Sequence, residues 1–466
     1  METEKPSFFE RLNNWAKRSI TLKLFSIGIL ILILLIPSSM LTSLIRERES
    51  LRDKAVVEVS SKWGSSQTIG GPVISIPYKV TSKNKDGNEV IKTEYAHFLP
   101  ESLDITGNIT PEKRYRGIYV VALYNSQLHI KGKFPVPDLN SLGIAKENLL
   151  LNEAFISIGI TDMKGIKENI NVKLNDTIIS MNPGIVTSDI FNSGVSHDIP
   201  FQQSKEISFD FNLNLNGSST IYFLPFGKET KVNISSTWSN PSFEGSFLPD
   251  NREISNSGFK AQWKVLHLNR NYPQQGRGSF VKSPDRSNDD NNESDEVRTN
   301  DNSYGNAAGF GIKFMLPVDE YSKTMRSTKY NTMFIILTFV TFFFIEVLNK
   351  KRLHPIQYLL VGFAICLFYV MLLSFSEYIK FDFAYLGGCV ITLLLISFYA
   401  RNILKSNYLT GMITGILIIL YGFFYSLLQL QDYALLLGSL GLLLILAIIM
   451  YLTRNIDWYM INTDDK

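Results

Sequence analysis

Apolar positions in this chain follow two different periods in two different places. Residues 22–45 form one nearly continuous apolar run, broken by Pro37 and a few hydroxyls. That meets the roughly 20 residues a helix needs to cross the hydrocarbon layer, where every backbone N–H and C=O must be paired internally. From about residue 331 a second apolar region resolves into five runs, 332–348, 356–375, 381–399, 409–428 and 433–452. The short connections between them make the helices antiparallel neighbours. Between the two regions the pattern changes to alternation. Ile207, Phe209, Phe211, Leu213 and Leu215 alternate with Ser208, Asp210, Asn212 and Asn214. Successive side chains of a strand point to opposite faces, so this is a sheet buried on one side.

The same alternation, in shorter form, marks strands at 74–78, 103–109, 118–123, 128–134, 155–160, 220–224, 232–238, 259–267 and 312–316. No comparably long amphipathic helix intervenes, which favours packed antiparallel sheets over βαβ layering. The fold class expected is a membrane protein of α + β type. An N-terminal anchor (22–45) leads through a stalk helix (46–67) into a large all-β, sandwich-like domain (68–330), and a five-helix bundle (331–453) precedes a tail (454–466). The stalk is expected because residues 46–63 lack Gly and Pro and mix both charge signs. Within the β region, residues 272–306 lose almost all aliphatic side chains in favour of Asn, Asp, Ser and Gly, and are read as a disordered insertion. Their acidic part lacks the ligand alternation and the glycine turn of an EF-hand loop.

A signal peptide is the alternative for the first run, since Lys17, Arg18 and Lys23 precede it. The length of the run and the lack of an A-x-A site favour a retained anchor. Orientation follows from the short loops. Lys350, Lys351 and Arg352 fill one, Arg401 and Lys405 another, while the turns at 376–380 and 429–432 carry one basic residue and none. Cytoplasmic loops are enriched in Lys and Arg, so both termini, including residues 1–21, are expected in the cytoplasm and the β domain outside it.

Composition narrows function mainly by exclusion. The 46 basic and 43 acidic residues leave a net charge of +3, so no one-signed field points to nucleic acid. Both cysteines, Cys366 and Cys389, lie in the apolar C-terminal runs, so the β region has neither a disulfide nor a thiolate site. His97, His129, His197 and His267 are dispersed, without metal-ligand spacing, and are read as incidental or hydrogen-bonded. There is no G-x-S-x-G elbow and no phosphate-binding G-x-x-x-x-G-K-[ST] loop, so neither an enzyme nor a cofactor is expected.

Polar groups at membrane level remain, and they are costly enough to be candidates by default. Glu346 lies four residues before Lys350, the spacing of a helix-terminal ion pair. His354 and Pro355 precede a helix, with Gln357 just inside it; Glu377, Gln429 and Asp432 fall in the outer turns; Arg454, Asp457 and Trp458 fall at the inner boundary.

Around these positions lie the runs Phe342-Phe343-Phe344-Ile345-Glu346, His354-Pro355-Ile356-Gln357-Tyr358, Leu373-Ser374-Phe375-Ser376-Glu377, Gln429-Leu430-Gln431-Asp432-Tyr433 and Thr453-Arg454-Asn455-Ile456-Asp457-Trp458. Gly70-Gly71-Pro72-Val73-Ile74-Ser75-Ile76-Pro77-Tyr78 and Arg116-Gly117-Ile118-Tyr119 occur in the β region. Through these runs the chain resembles the CreD family of bacterial inner-membrane proteins, over nearly its whole length. The resemblance implies an inner-membrane location and a part in cell-envelope integrity and stress tolerance, with no catalytic residues to carry over. Three expectations are weighed, of which the last, a membrane hydrolase, ranks lowest because it would need convergent His and carboxylate side chains in a cleft of the β domain. The first is a non-enzymatic envelope protein in contact with the lipid bilayer and with envelope proteins or lipids not specified by the sequence. The second is a transporter of lipids or small molecules, in which Glu346, Gln357 or Glu377 face a polar path.

Overall fold

The computed structural model describes residues 20–83, 89–139, 141–201, 206–281, 308–316, 320–349, 351, 353–430 and 433–454. Two compact units emerge, one of residues 1–51 with 318–466 and one of residues 52–317.

In the second unit the chain runs through β1 (Gln67–Lys83), β2 (Glu89–Phe98), β3 (Ser102–Arg116), β4 (Tyr119–Phe134), β5 (Phe155–Ile160) and β6 (Asn171–Leu174). It continues through β7 (Thr177–Ser180), β8 (Asn182–Pro183), β9 (Gly194–Asp198), β10 (Ile207–Ser218), β11 (Thr220–Phe223) and β12 (Glu229–Ser236). β13 (Pro241–Gly245), β14 (Asn251–Ser255), β15 (Gly258–Leu266), β16 (Gln275–Arg277) and β17 (Phe310–Phe314) complete it. One sheet has the order β13-β17-β11-β1-β5-β9-β8, with β2 on β1 and β16 on β2; the other has the order β14-β15-β12-β3-β4-β10-β6-β7.

The sheets share one core, to which Ile74, Ile76, Phe223 and Phe310 come from the first and Ile105, Ile130, Phe209 and Trp263 from the second. Phe243 meets Trp263 edge to face at 5.7 Å across that core. β10 shows the alternation most clearly, with Phe209, Phe211, Leu213 and Leu215 buried and Asp210 and Asn212 exposed. Burial of such side chains contributes roughly 1.5–3 kcal/mol each, which is what makes the period-two pattern binding on the register.

Pairing is mostly antiparallel, but not wholly. β12 runs parallel to β3 over eight paired positions, Glu229↔Ser102 to Ser236↔Ile109, and β1 runs parallel to β11 at Gln67–Ile69. Parallel neighbours need a long crossover. Here the crossing chain passes through strands of both sheets rather than through a helix, so the absence of helical periodicity did not exclude it.

β1 is buried on both faces from Thr68 to Tyr78. Its second face lies under a smaller core of Val73, Leu99, Phe191, Phe226, Tyr272 and Phe280. Two features follow from that cover. A Cβ at Gly70 would come within 2.7 Å of the Phe191 ring, and one at Gly159 within 2.2 Å, so the ring sits where only glycine leaves room. Secondly, the expected disordered insertion begins too early. Tyr272, Phe280 and Val281 are buried, and β16 pairs with β2 through Gln275↔Phe98 to Arg277↔Ala96. Tyr272 and the adjacent pair Phe280 and Val281, set in a polar stretch, are enough to tie it down. Residues 282–307 lie outside the described residues.

Helix α1 (Ile20–Trp63) is continuous from the first apolar run to within four residues of β1, with Pro37 inside it. It continues without a break into the expected stalk and ends at Trp63. At that end Trp63 Nε1 donates to Tyr124 O at 3.2 Å, Lys164 Nζ donates to Ser61 O at 3.3 Å, and Arg116 pairs with Glu58 at 3.1 Å. Hydrogen bonding from Lys62, then the Arg116 charge, hold the Glu58 carboxyl below the usual range.

The first unit contains α2 (Glu320–Lys329), α3 (Asn331–Leu348), α4 (Pro355–Ser376), α5 (Phe381–Leu404), α6 (Asn407–Gln429) and α7 (Ala434–Thr453). α1 and α3 to α6 are long and apolar enough to cross a membrane, and α7 holds a shorter apolar stretch, Leu436–Tyr451. Phe383, Leu394, Phe398, Ile419 and Leu443 are exposed. Apolar surface of that extent is suited to lipid contact. α2 was not expected. Its packed face is Thr324, Ser327 and Thr328, and the hydroxyls of Ser327 and Thr328 donate to the carbonyls of Thr324 and Met325 at 2.7 and 2.8 Å.

Candidate functional site

Polar side chains in the helical unit gather into three centres. In the first, the Glu346 carboxylate near the end of α3 is 4% exposed and meets three donors. Tyr358 O–H donates to Oε2 at 2.8 Å, the Leu353 N–H donates to Oε1 at 2.9 Å, and the Lys23 ammonium of α1 pairs with Oε1. A buried carboxylate is tolerated when its lone pairs are occupied in this way. Sequence spacing singled out Lys350, which lies outside the described residues. The partners observed come from α1, from the segment before α4 and from α4 itself, a convergence that i,i+4 reasoning along one helix does not reach.

His354, Pro355 and Gln357 form the start of α4. The Ile356 N–H donates to His354 Nδ1 at 3.3 Å, the His354 N–H donates to Gln357 Oε1 at 3.0 Å, and Pro355 occupies the first turn, where its missing N–H costs nothing. These residues therefore build a helix start beside Glu346. None of them is drawn into its hydrogen-bond set.

At the other end of the bundle Glu377, following α4, lies 3.6 Å from Arg48 of α1. Nearby in sequence, Asp382 of α5 accepts from Tyr425 O–H at 3.0 Å and from Gln429 Nε2 at 2.7 Å, both on α6. Arg454 stacks over the Tyr451 ring at 4.6 Å. Asp432, Asp457 and Trp458 lie outside the described residues. Between these ends α1 meets the bundle through Asn331 Nδ2, which donates to Ser38 Oγ at 2.9 Å, and through Leu34, whose methyl a Cβ at Gly362 would approach to 2.2 Å.

A cavity of about 10 Å³ lies among the aromatic side chains of Phe334, Tyr369 and Tyr421, room for no more than one water. An open groove of about 470 Å³ runs along α6 past Thr410 and Gly415, with Arg401 of α5 at one end. Neither is lined by Glu346, Gln357 or Glu377.

In the β domain the structure brings together three residues that sequence reasoning left apart. Ser75 and His97 are cross-strand partners of β1 and β2. The Ser75 hydroxyl lies 2.8 Å from His97 Nδ1, and His97 Nε2 lies 3.1 Å from Asp189 Oδ2. A carboxylate only accepts, so Nε2 carries the proton and Nδ1 accepts from Ser75. Asp189 Oδ1 accepts in addition from the Ser279 hydroxyl at 3.2 Å. Hydrogen bonding from His97 keeps the Asp189 carboxyl below its usual range, against the opposing effect of burial. The Ser–His–Asp order is that of a serine hydrolase with the two ring nitrogens exchanged, yet Ser75 and His97 are each 1% exposed, and the Phe280 ring stacks on the imidazole at 6.3 Å. The hydroxyl has no open approach; the trio links β1, β2, the 189 loop and the 279 segment. Register pairing of residues 22 apart could have suggested the Ser75–His97 contact, but nothing local announces Asp189. Of the other histidines, His129 Nε2 bonds Asp210 Oδ1 at 2.9 Å.

Comparison with known proteins agrees with this architecture. Residues 19–459 match the family described as Inner membrane protein CreD. The chain is 33% identical over 436 residues to the Inner membrane protein CreD of Escherichia coli (strain K12), covering 92% of this chain and 91% of that one. The chain belongs to the CreD family of inner membrane proteins.

Proposed function

We propose that this protein is a non-enzymatic inner-membrane protein that supports envelope integrity and envelope-stress tolerance, with its β domain in the periplasm and both termini in the cytoplasm. The observation that carries the reading is the single helix α1, which passes from an apolar span into a large β sandwich and is bonded into it at Glu58, Ser61 and Trp63. A β sandwich on the outer side of the bilayer suits contact with envelope components. The basic loops at 350–352 and 401–405 support the orientation. The absence of an approach to Ser75 supports a structural role for its hydrogen-bonded trio, and the polar centres of the helical unit are occupied by local partners rather than aligned along a cavity. Transport of lipids or small molecules is less well supported for that reason.

Deletion of the gene should lower tolerance to detergents, envelope-active peptides or cell-wall antibiotics, with restoration by the intact chain; unchanged tolerance across the panel would count against the role. Topology is tested in a background lacking both native cysteines. A membrane-impermeant maleimide should label Tyr115→Cys in intact spheroplasts and Lys405→Cys only after permeabilisation. The reverse pattern would overturn the orientation.

A further inference from the structure

The groove along the first half of α6, with Arg401 of α5 at one end, combines three features. Its floor is open: a Cβ placed on Gly411 or Gly415 meets no heavy atom within 4 Å. At one end Arg401, in the last turn of α5, is exposed and has no acidic partner among the described residues. The same end holds the start of α6, where Asn407 is exposed and Ser406 accepts the Leu409 N–H. A helix start and a guanidinium both favour a negative charge placed between them. The hydroxyls along the wall are satisfied internally: Thr410 donates to Ser406 O at 2.8 Å, and Thr414 lies 2.7 Å from Ser397. They present a weakly polar side that needs no further partner. Beyond them the groove continues past Gly415 to the exposed Ile418, an apolar track in the membrane-spanning part of α6.

We infer that this groove binds an anionic phospholipid, with the headgroup phosphate at Arg401 and the start of α6 and an acyl chain laid over Gly411, Gly415 and Ile418. The amphipathic order of the lining, charge at the helix end and bare glycine backbone toward the middle, is the order of a phospholipid. A volume of about 470 Å³ accommodates a headgroup and the first part of a chain. Basic pockets between membrane helices are a recurrent means of holding such lipids. The inference does not depend on the proposed envelope role, because it concerns lipid contact by the helical unit alone.

The test uses the full chain in nanodiscs of phosphatidylcholine, with and without phosphatidylglycerol, and reads thermal stability and lipid retained after detergent extraction by mass spectrometry. Arg401→Gln removes the charge, and Gly415→Leu fills the track. Both positions are open enough for the fold to accept the change. Each variant should reduce retained phosphatidylglycerol about fivefold and abolish its stabilising effect over phosphatidylcholine. Loss in Arg401→Gln with full retention in Gly415→Leu would reduce the effect to surface charge and overturn the groove. Retention in both would overturn it outright. Should Gly415→Leu leave lipid retention intact and instead abolish a crosslinked dimer, the occupant is a second copy of this chain and the lipid assignment fails.

Discussion

Replacement of Glu346 separates a structural role from a proton-carrying one. Glu346→Ala leaves the Leu353 N–H and the Tyr358 O–H without their acceptor in a position 4% exposed. Each buried orphan costs about 1–3 kcal/mol, and removal of one member of a buried pair on the order of 3–5 kcal/mol in all. Glu346→Gln keeps the shape and an acceptor for the Leu353 N–H, and the Tyr358 hydroxyl can turn to suit the amide. It removes only the charge opposite Lys23. Because that ammonium is 24% exposed, and so partly screened, the loss is about 1 kcal/mol. Alanine should therefore be costlier than glutamine by about 2–4 kcal/mol.

The native cysteines supply the assay. Cys366 in α4 and Cys389 in α5 are both buried, at 7% and 6% exposure, so their labelling rate in mixed micelles of rising SDS content reports opening of the helical unit. Glu346→Ala should label far earlier in the SDS series than the parent, and Glu346→Gln only slightly earlier. Envelope tolerance should follow the same order, with Gln nearly intact. Equal costs for the two substitutions would refute the hydrogen-bond reasoning. A Glu346→Gln protein that folds like the parent but fails to restore tolerance would refute a purely structural role, since the carboxylate, with its charge and its capacity to titrate, is what Gln lacks.

Three further outcomes follow. Gly362→Ala should destabilise the helical unit by about 1–3 kcal/mol, because its Cβ would lie 2.2 Å from a Leu34 methyl, while Gly411→Ala, facing open space, should be neutral or slightly stabilising; SDS titration of the pair compares them. Asp189→Asn should flatten the acid limb of β-domain stability. Folding holds the Asp189 carboxyl below its ordinary pKa, so its contribution, on the order of 1 kcal/mol, is complete above about pH 4 and is lost as pH falls through the lowered folded value. Hydrogen exchange of β2 and β16 in the full chain, scanned over pH, should show that loss in the parent and not in the variant. Finally, a fluorophosphonate probe should leave Ser75 unmodified in the native protein; labelling there that is lost in Ser75→Ala would overturn the non-enzymatic reading.

The parts of the fold legible in the sequence are those in which a repeating period decides burial. β10 alternates because one face meets the core, and α3 to α6 are apolar along their length because lipid or neighbouring helices surround them. Where burial is achieved otherwise, the pattern is silent. α2 packs through Thr324, Ser327 and Thr328, whose hydroxyls are satisfied by their own helix in the case of Ser327 and Thr328, so a helical face exists without an apolar stripe. The 272–281 segment is held by three buried side chains and a short pairing with β2, too sparse to register as a strand signal. Mixed pairing was equally hidden, because strand direction depends on the path of the connection and not on the side chains of the strand.

The candidate site divides in the same way. His354, Pro355 and Gln357 announce a helix start in four consecutive residues, and the structure uses them locally. Glu346 was singled out by cost, since a carboxylate in an apolar helix demands an explanation. Its partners were not legible, because Lys23 lies in another helix at the opposite end of the chain, and only packing of α1 against the bundle brings them together. The Ser75, His97 and Asp189 trio shows the converse. The residue types and their order match a catalytic arrangement apart from the exchanged ring nitrogens, but chemistry also requires access, and the Phe280 ring and 1% exposure of Ser75 deny it. In this chain the same buried side chains that tie the 279 segment to β2 make the trio a fastening: the order of hydrogen bonds alone does not distinguish the two uses, and solvent access does.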